Sequence, residues 1–214
     1  MKGAIFDMDG TLFDTEVLYR KFWIEVADDF GVERKPALAE AASGSGRSRL
    51  LKLIDEFYPG INAGAYLKKV EGSVEKATEK KENLILMKGV KEILEFFRAE
   101  GFKMAVASSS PTKMIKRNLK TSGLEEYFSE VVGADMVENG KPAPDIFLLA
   151  AKKLGLPPEE CYVFEDSYNG IRGGAAAGCR TIMVVDTAPP TDEMKKLCAG
   201  IFDNLSEALE NIKK

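Results

Sequence analysis

Histidine is absent from the 214 residues of this chain. Its absence excludes serine–histidine and cysteine–histidine hydrolases, imidazole-ligated zinc sites and phosphohistidine intermediates. Any chemistry must rest on carboxylates, lysines, hydroxyls and hard metal ions. Cysteine is scarce. Cys161, Cys179 and Cys198 form no close pair, which argues against a disulfide scaffold or a zinc ribbon and for thiols kept reduced in a cytoplasm. No apolar run approaches the roughly 18 residues of a membrane span. The run Ala4-Ile5-Phe6 is cut at once by Asp7, too early for a secretory apolar region. A net charge of -4 leaves no basic footprint for nucleic acid. These absences lead us to expect a cytoplasmic protein with neither a membrane nor a nucleic-acid partner; a monomer is also expected, though no absence dictates it. An acidic chain that binds an anionic molecule must then concentrate positive charge locally.

The residues that are present alternate in type. Residues 3–6 are a short apolar run that ends in Asp, Gly and Thr, and they read as a buried strand feeding a polar loop. Helical spacing comes next at 17–30, closed by Gly31, and again at 47–57 and 65–81. No strand is predicted between residues 16 and 85. Beyond them the texture changes. Strands are predicted at 104–107, 131–133, 162–164 and 181–185, with helices at 90–99, 112–121, 145–154 and 170–177. Strand–helix alternation argues for a parallel sheet with helices on both faces. The implied boundaries are an α/β core of residues 1–15 and 86–214, interrupted by a helical domain of residues 16–85.

In such a sheet, ligands bind at the carboxyl ends of the strands. Asp7-Met8-Asp9-Gly10-Thr11 comes after the first strand and Ser108-Ser109-Ser110-Pro111 after the second. Lys141-Pro142-Ala143-Pro144-Asp145 lies beyond the third, and Glu165-Asp166-Ser167 beyond the fourth. Several acids crowded together cannot all stay ionised without a cation. Oxygen-only ligands suit Mg²⁺, which takes a few carboxylates, waters and substrate phosphate. Ser110-Pro111 reads as an N-cap with proline at the first helical position, which would aim the amides of Ser109 and Ser110 at an anion.

Taken in order, these segments resemble the four motifs of the haloacid dehalogenase superfamily. Phe6-Asp7-Met8-Asp9-Gly10-Thr11-Leu12-Phe13-Asp14-Thr15 is similar to the first and Ser108, after Ala105-Val106-Ala107, to the second. Lys141 in Gly140-Lys141-Pro142 is similar to the third, and Glu165-Asp166-Ser167-Tyr168-Asn169-Gly170 to the fourth. The resemblance extends over the whole chain. It implies a doubly wound, Rossmann-like parallel-sheet core with an inserted helical cap, like the β-phosphoglucomutase-like and phosphoglycolate-phosphatase-like subfamily. It also implies that Asp7 is a nucleophile that becomes an aspartyl phosphate and that Asp9 is the general acid and base. Ser108 and Lys141 would hold the phosphoryl group, with Ser109 beside them. Mg²⁺ would be bound by Asp7, Asp9 through its carbonyl, Asp166, and Glu165 directly or through water.

Substrate choice falls to the helical block. Ser43-Gly44-Ser45-Gly46-Arg47 resembles the subfamily's specificity loop, and Arg47 matches an arginine that grips a remote phosphate in its mutases. Tyr19 is a second candidate for substrate contact, and it stands where those mutases carry a histidine. The expected activity is hydrolysis of a small phosphorylated metabolite, a sugar or polyol phosphate, with β-phosphoglucomutase-like isomerisation as the alternative. Asp9 argues against dehalogenation, which wants no acid at that position.

Overall fold

The computed structural model describes residues 1–43 and 45–213. In chain order its elements are β1 (Gly3–Phe6), α1 (Glu16–Glu25), α2 (Pro36–Ala42), α3 (Arg47–Phe57) and α4 (Ala63–Ala77). Next come α5 (Val90–Ala99), β2 (Lys103–Ser108), α6 (Thr112–Ser122), β3 (Glu130–Gly133) and α7 (Asp145–Leu154). The chain continues through β4 (Cys161–Glu165), α8 (Tyr168–Ala176), β5 (Arg180–Val184), α9 (Asp192–Leu197), β6 (Gly200–Phe202) and α10 (Leu205–Ile212). Two compact units result, one of Met1–Asp14 with Ile85–Lys214 and one of Thr15–Leu84.

The first unit is built on a parallel sheet of six strands in the order β3-β2-β1-β4-β5-β6. β1 reads Gly-Ala-Ile-Phe with all four residues buried, as a central parallel strand covered on both faces requires. Its alternation separates the two layers. Ile5 packs with Val163 and with Ile146, Phe147 and Ala150 of α7. Phe6 points the other way, stacking on its register partner Phe164 at 4.6 Å and meeting Phe97 of α5 edge-on at 6.2 Å. Truncating Phe6 to alanine would cost about 3–5 kcal/mol, the range for removing a buried aromatic ring.

β1 lies between β2 and β4, so strand order reverses beside it. The crevice at this switch point is where a ligand fits such a sheet. The segment leaving β1 folds back on itself: Leu12 N–H donates to Met8 O at 2.9 Å and Gly10 N–H to Phe13 O at 2.9 Å. Gly10 has φ +76°, and a Cβ there would lie 2.5 Å from Asp166 Oδ2, so only glycine fits. Where the chain leaves and re-enters this unit the two segments are bonded together. Asp14 N–H donates to Ile85 O at 2.9 Å and Met87 N–H to Leu12 O at 3.0 Å.

The second unit holds α1 to α4 around Trp23, Leu38, Ile54 and Tyr66. The buried Tyr66 hydroxyl donates to Trp23 O at 2.8 Å, so its burial leaves no orphaned polar group. Asn62 caps α4 by accepting from Ala65 N–H at 2.9 Å. Lys35 Nζ reaches Phe57 O at 2.6 Å, satisfying a carbonyl at the end of α3.

The sheet, its parallel sense and the helices on both faces agree with the sequence reading. Four elements were not foreseen: α2, α9, β6 and α10. α2 is seven residues opened by Pro36, and β6 is three, both too short for periodicity to register. α10 was legible, since Asn204 caps it and Leu205, Ala208 and Leu209 share its buried face. The expected helix at 17–30 ends as α-helix at Glu25 and continues as a 3-10 turn, Val26–Phe30, closed by Gly31. Among the described residues no helix is long and apolar enough to cross a membrane.

Candidate active site

Asp7 is the first residue past β1, and its N–H donates to Phe164 O at 3.0 Å, extending the ladder to β4 by one bond. The strand therefore carries the carboxyl into the crevice. Lys141 arrives from the loop before α7. Its Nζ donates to Asp7 Oδ1 at 2.5 Å, to Glu165 Oε1 at 2.6 Å and to Ala107 O at 3.1 Å, which uses all three of its protons. The three side chains are at most 9% exposed. Glu165, the last residue of β4, accepts on its other oxygen from Ser167 N–H at 2.8 Å and Ser167 Oγ at 2.9 Å. Gly170 lies against it: a Cβ there would fall 1.7 Å from Glu165 Oε1.

Asp7, Glu165 and Asp166 each offer a carboxylate oxygen, all within 4.8 Å of one another. Burial pushes the Asp7 carboxyl up to about 8, and the charges of Glu165 and Asp9 add to it against the pull of Lys141. Asp166 is also raised, first by its recessed position and then by Glu165, Asp7 and Asp186. Burial works to lower Lys141, but Asp7 and Glu165 outweigh it and hold its ammonium above the usual range. One ammonium among three clustered carboxylates is a deficit of positive charge. A divalent, oxygen-seeking cation answers that deficit, so the donor set fits Mg²⁺.

Ser108 is 1% exposed at the end of β2, and its Oγ accepts from Ser110 N–H at 3.1 Å. Ser109 is exposed beside it. The start of α6 differs from the sequence reading. Pro111, not Ser110, occupies the cap position. Asp135 takes the first helical amide, accepting from Thr112 N–H at 2.7 Å and Thr112 Oγ1 at 2.8 Å. The Ser110 hydroxyl is thus released from capping and donates to Asp9 Oδ2 at 3.2 Å. The structure brings Asp7, Ser108, Lys141, Glu165 and Asp166 together with Asp9 at one set of strand ends.

Arg47 and Tyr19 belong to the helical unit. Arg47 pairs with Glu71 at 2.7 Å on an exposed face, and Tyr19 packs half-buried against the unit's apolar core. Of the loop 43–47, Gly44 lies outside the described residues.

Sequence reasoning missed several contributors. Thr11 is fully buried and its Oγ1 donates to Asp166 Oδ1 at 3.5 Å. Ser167 anchors Glu165, and Ser110 reaches Asp9. All three stand inside the four motif segments, but the partners of Thr11 and Ser110 are far away in sequence. Asp186 stands just past β5 and adds its charge to the field at Asp166. Its signal was its position, since the polar residues just past β1, β2 and β4 are the ones that build this site.

The haloacid dehalogenase-like hydrolase family matches residues 1–178. A phosphorylated carbohydrates phosphatase of Thermotoga maritima is 35% identical over 187 residues, covering 85% of this chain and 84% of its own. Fructose-1-phosphate phosphatase YqaB of Escherichia coli is 37% identical over 185 residues, covering 85% of this chain and 95% of its own. A solved Thermotoga maritima structure, described as a candidate beta-phosphoglucomutase, superposes with a TM-score of 0.82 at 31% identity. It covers 100% of this chain and 99% of that one. A family match over most of the chain, with relatives above 30% identity along it, permits one conclusion: this chain is an enzyme of the haloacid dehalogenase-like hydrolase family.

Proposed function

We propose that the chain is a Mg²⁺-dependent phosphatase that hydrolyses a small phosphomonoester, a sugar or polyol phosphate, through an aspartyl phosphate on Asp7. The observation that carries this reading is the placement of Asp7. It is a buried carboxylate at a strand end, bonded to Lys141, with the hydroxyl of Ser108 and a second aspartate, Asp9, in the same cluster of strand ends. The phosphatase relatives at 35% and 37% identity support the substrate class. Asp7, Asp166, Glu165 and the carbonyl of Asp9 would hold the cation. When bound, it supplies the positive charge that transferring phosphoryl oxygens require.

The protein's own groups account for the rest. An Asp7 oxygen attacks phosphorus, and the bond from phosphorus to the ester oxygen breaks. Asp9 gives its proton to the departing oxygen. In the second half Asp9 takes a proton from water, that water oxygen attacks phosphorus, and the bond to Asp7 breaks, releasing phosphate. Lys141 and Ser108 steady the phosphoryl oxygens in both halves. Residues 16–85 act as a cap in this reading, with Arg47 and Tyr19 selecting the substrate. The mutase alternative draws on the TM-score of 0.82 and 31% identity to the candidate beta-phosphoglucomutase. Against it, position 19 carries a tyrosine, whose hydroxyl can bond a sugar, where the mutases of the subfamily carry a histidine.

The test is a phosphorus NMR time course on a panel of sugar and polyol phosphates with Mg²⁺, scored for free phosphate and for isomer formation. Release of phosphate, abolished in Asp7→Asn, is expected. Rapid isomerisation of β-glucose 1-phosphate with negligible free phosphate would replace hydrolysis by the mutase reading.

A further inference from the structure

We propose that Ser110 is a positioning residue that aims the carboxyl of Asp9. The inference rests on the acid–base role proposed for Asp9 above. Ser110 is immobilised at every polar group it has. Its N–H donates to Ser108 Oγ at 3.1 Å, its carbonyl accepts from Ala134 N–H at 3.2 Å, and its hydroxyl donates to Asp9 Oδ2 at 3.2 Å. The next residue, Pro111, biases its backbone toward the extended region. A serine two positions before a helix ordinarily spends its hydroxyl near the helix end. Here Asp135 has taken over the first amide of α6, at 2.7 Å. The hydroxyl is therefore available to a partner 101 residues away.

The physical need is clear. An aspartate has two side-chain torsions, and loss of orientation at a proton-transfer group costs rate steeply. A hydroxyl bonded to one carboxyl oxygen restrains both torsions. It can remain bonded whether the carboxyl is ionised or protonated, because a hydroxyl both donates and accepts. Ser110 touches no reacting atom in this role. It acts through Asp9, and its effect should scale with how much a substrate needs Asp9's proton.

That scaling is the test. An alkyl ester, such as a polyol phosphate, needs a proton on its leaving oxygen, whereas 4-nitrophenyl phosphate releases a stable phenolate and needs little help. With Mg²⁺, Ser110→Ala should lower kcat/KM for the alkyl ester about tenfold, the effect of one well-placed hydrogen bond. The aryl ester should fall by less than about threefold. Ser110→Thr, which restores a hydroxyl at the same branch point, should recover most of the alkyl activity. Circular dichroism establishes that each variant is folded. Asp9→Asn, assayed on both esters, separates this inference from the reading beneath it. If Asp9→Asn discriminates between the esters but Ser110→Ala slows both equally, or slows neither, Ser110 does not position Asp9. If Asp9→Asn does not discriminate, Asp9 is not the acid, and the positioning role falls with it.

Discussion

Gly170→Ala should be far more damaging than its size suggests. Gly170 is the third residue of α8, where alanine would ordinarily gain about 1 kcal/mol over glycine. Its missing Cβ, however, would sit 1.7 Å from Glu165 Oε1 and 1.9 Å from Glu165 Cδ. No rotation of a methyl group relieves that overlap, so Glu165 must swing away or the start of α8 must lift. Glu165 holds bonds to Lys141 at 2.6 Å, Ser167 N–H at 2.8 Å and Ser167 Oγ at 2.9 Å, and it is 1% exposed, so no water replaces what is lost. Hydrogen bonds to a charged group are worth about 1.5–3 kcal/mol each. Losing two of them, less the alanine gain, leaves a net loss of about 2–5 kcal/mol. For a chain of this length that lowers the melting temperature by roughly 10 °C. Urea unfolding at pH 7 measures it, with Gly72→Ala as the control. Gly72 lies within α4 with nothing within 4 Å of its Cβ position, so there the same change should stabilise by about 0.5–1 kcal/mol. A Gly170→Ala protein as stable and as active as the wild type would refute the argument that Glu165 is fixed by this contact.

Two further outcomes come from the charges. Asp166→Ala should raise the Mg²⁺ concentration needed for activity while leaving the metal-free fold as stable or slightly more so, because it removes one of three mutually repelling carboxylates. Metal titrations of turnover and parallel unfolding curves in a chelator decide it, and a large loss of stability in the chelator would contradict it. Stability should also decline above pH 9. Burial pushes the Cys161 thiol up to about 11 and Cys179 up to about 12. The unfolded chain therefore loses these protons first. The stabilisation is fully present below pH 9 and lost as pH rises through 11–12, by up to about 1.4 kcal/mol per pH unit for each thiol. Urea midpoints unchanged between pH 8 and pH 10.5 would rule this out.

Much of the molecule was written in local chemistry. The run Gly3–Phe6 with Asp7 directly behind it announces a buried strand that ends in a polar loop, and the same signal recurs at β2 and β4. Repetition of strand and helix then argues for a parallel sheet, because parallel neighbours need a crossover of about a dozen residues or more, most often a helix. The residue types at the strand ends marked the candidate site before any distance was known, since a strand's carboxyl end and a ligand crevice coincide in such sheets. α2 and β6 escaped because a few residues carry too little periodicity.

Pairing across long separations was beyond the reach of the sequence alone. Lys141 and Asp7 lie 134 positions apart, Ser110 and Asp9 101, and Thr11 and Asp166 155. Which side chain caps α6 is a local contest between Ser110 and whatever else reaches Thr112. It is won by Asp135, a residue 23 positions on, because β3 delivers that carboxylate to the helix start. The elevated Asp7 carboxyl likewise has no local cause, for it arises from burial and from acids brought in on other strands. Local sequence set which groups stood at each strand end. The packing of six strands set which groups touch, because hydrogen bonds and burial depend on distances that only the closed sheet defines.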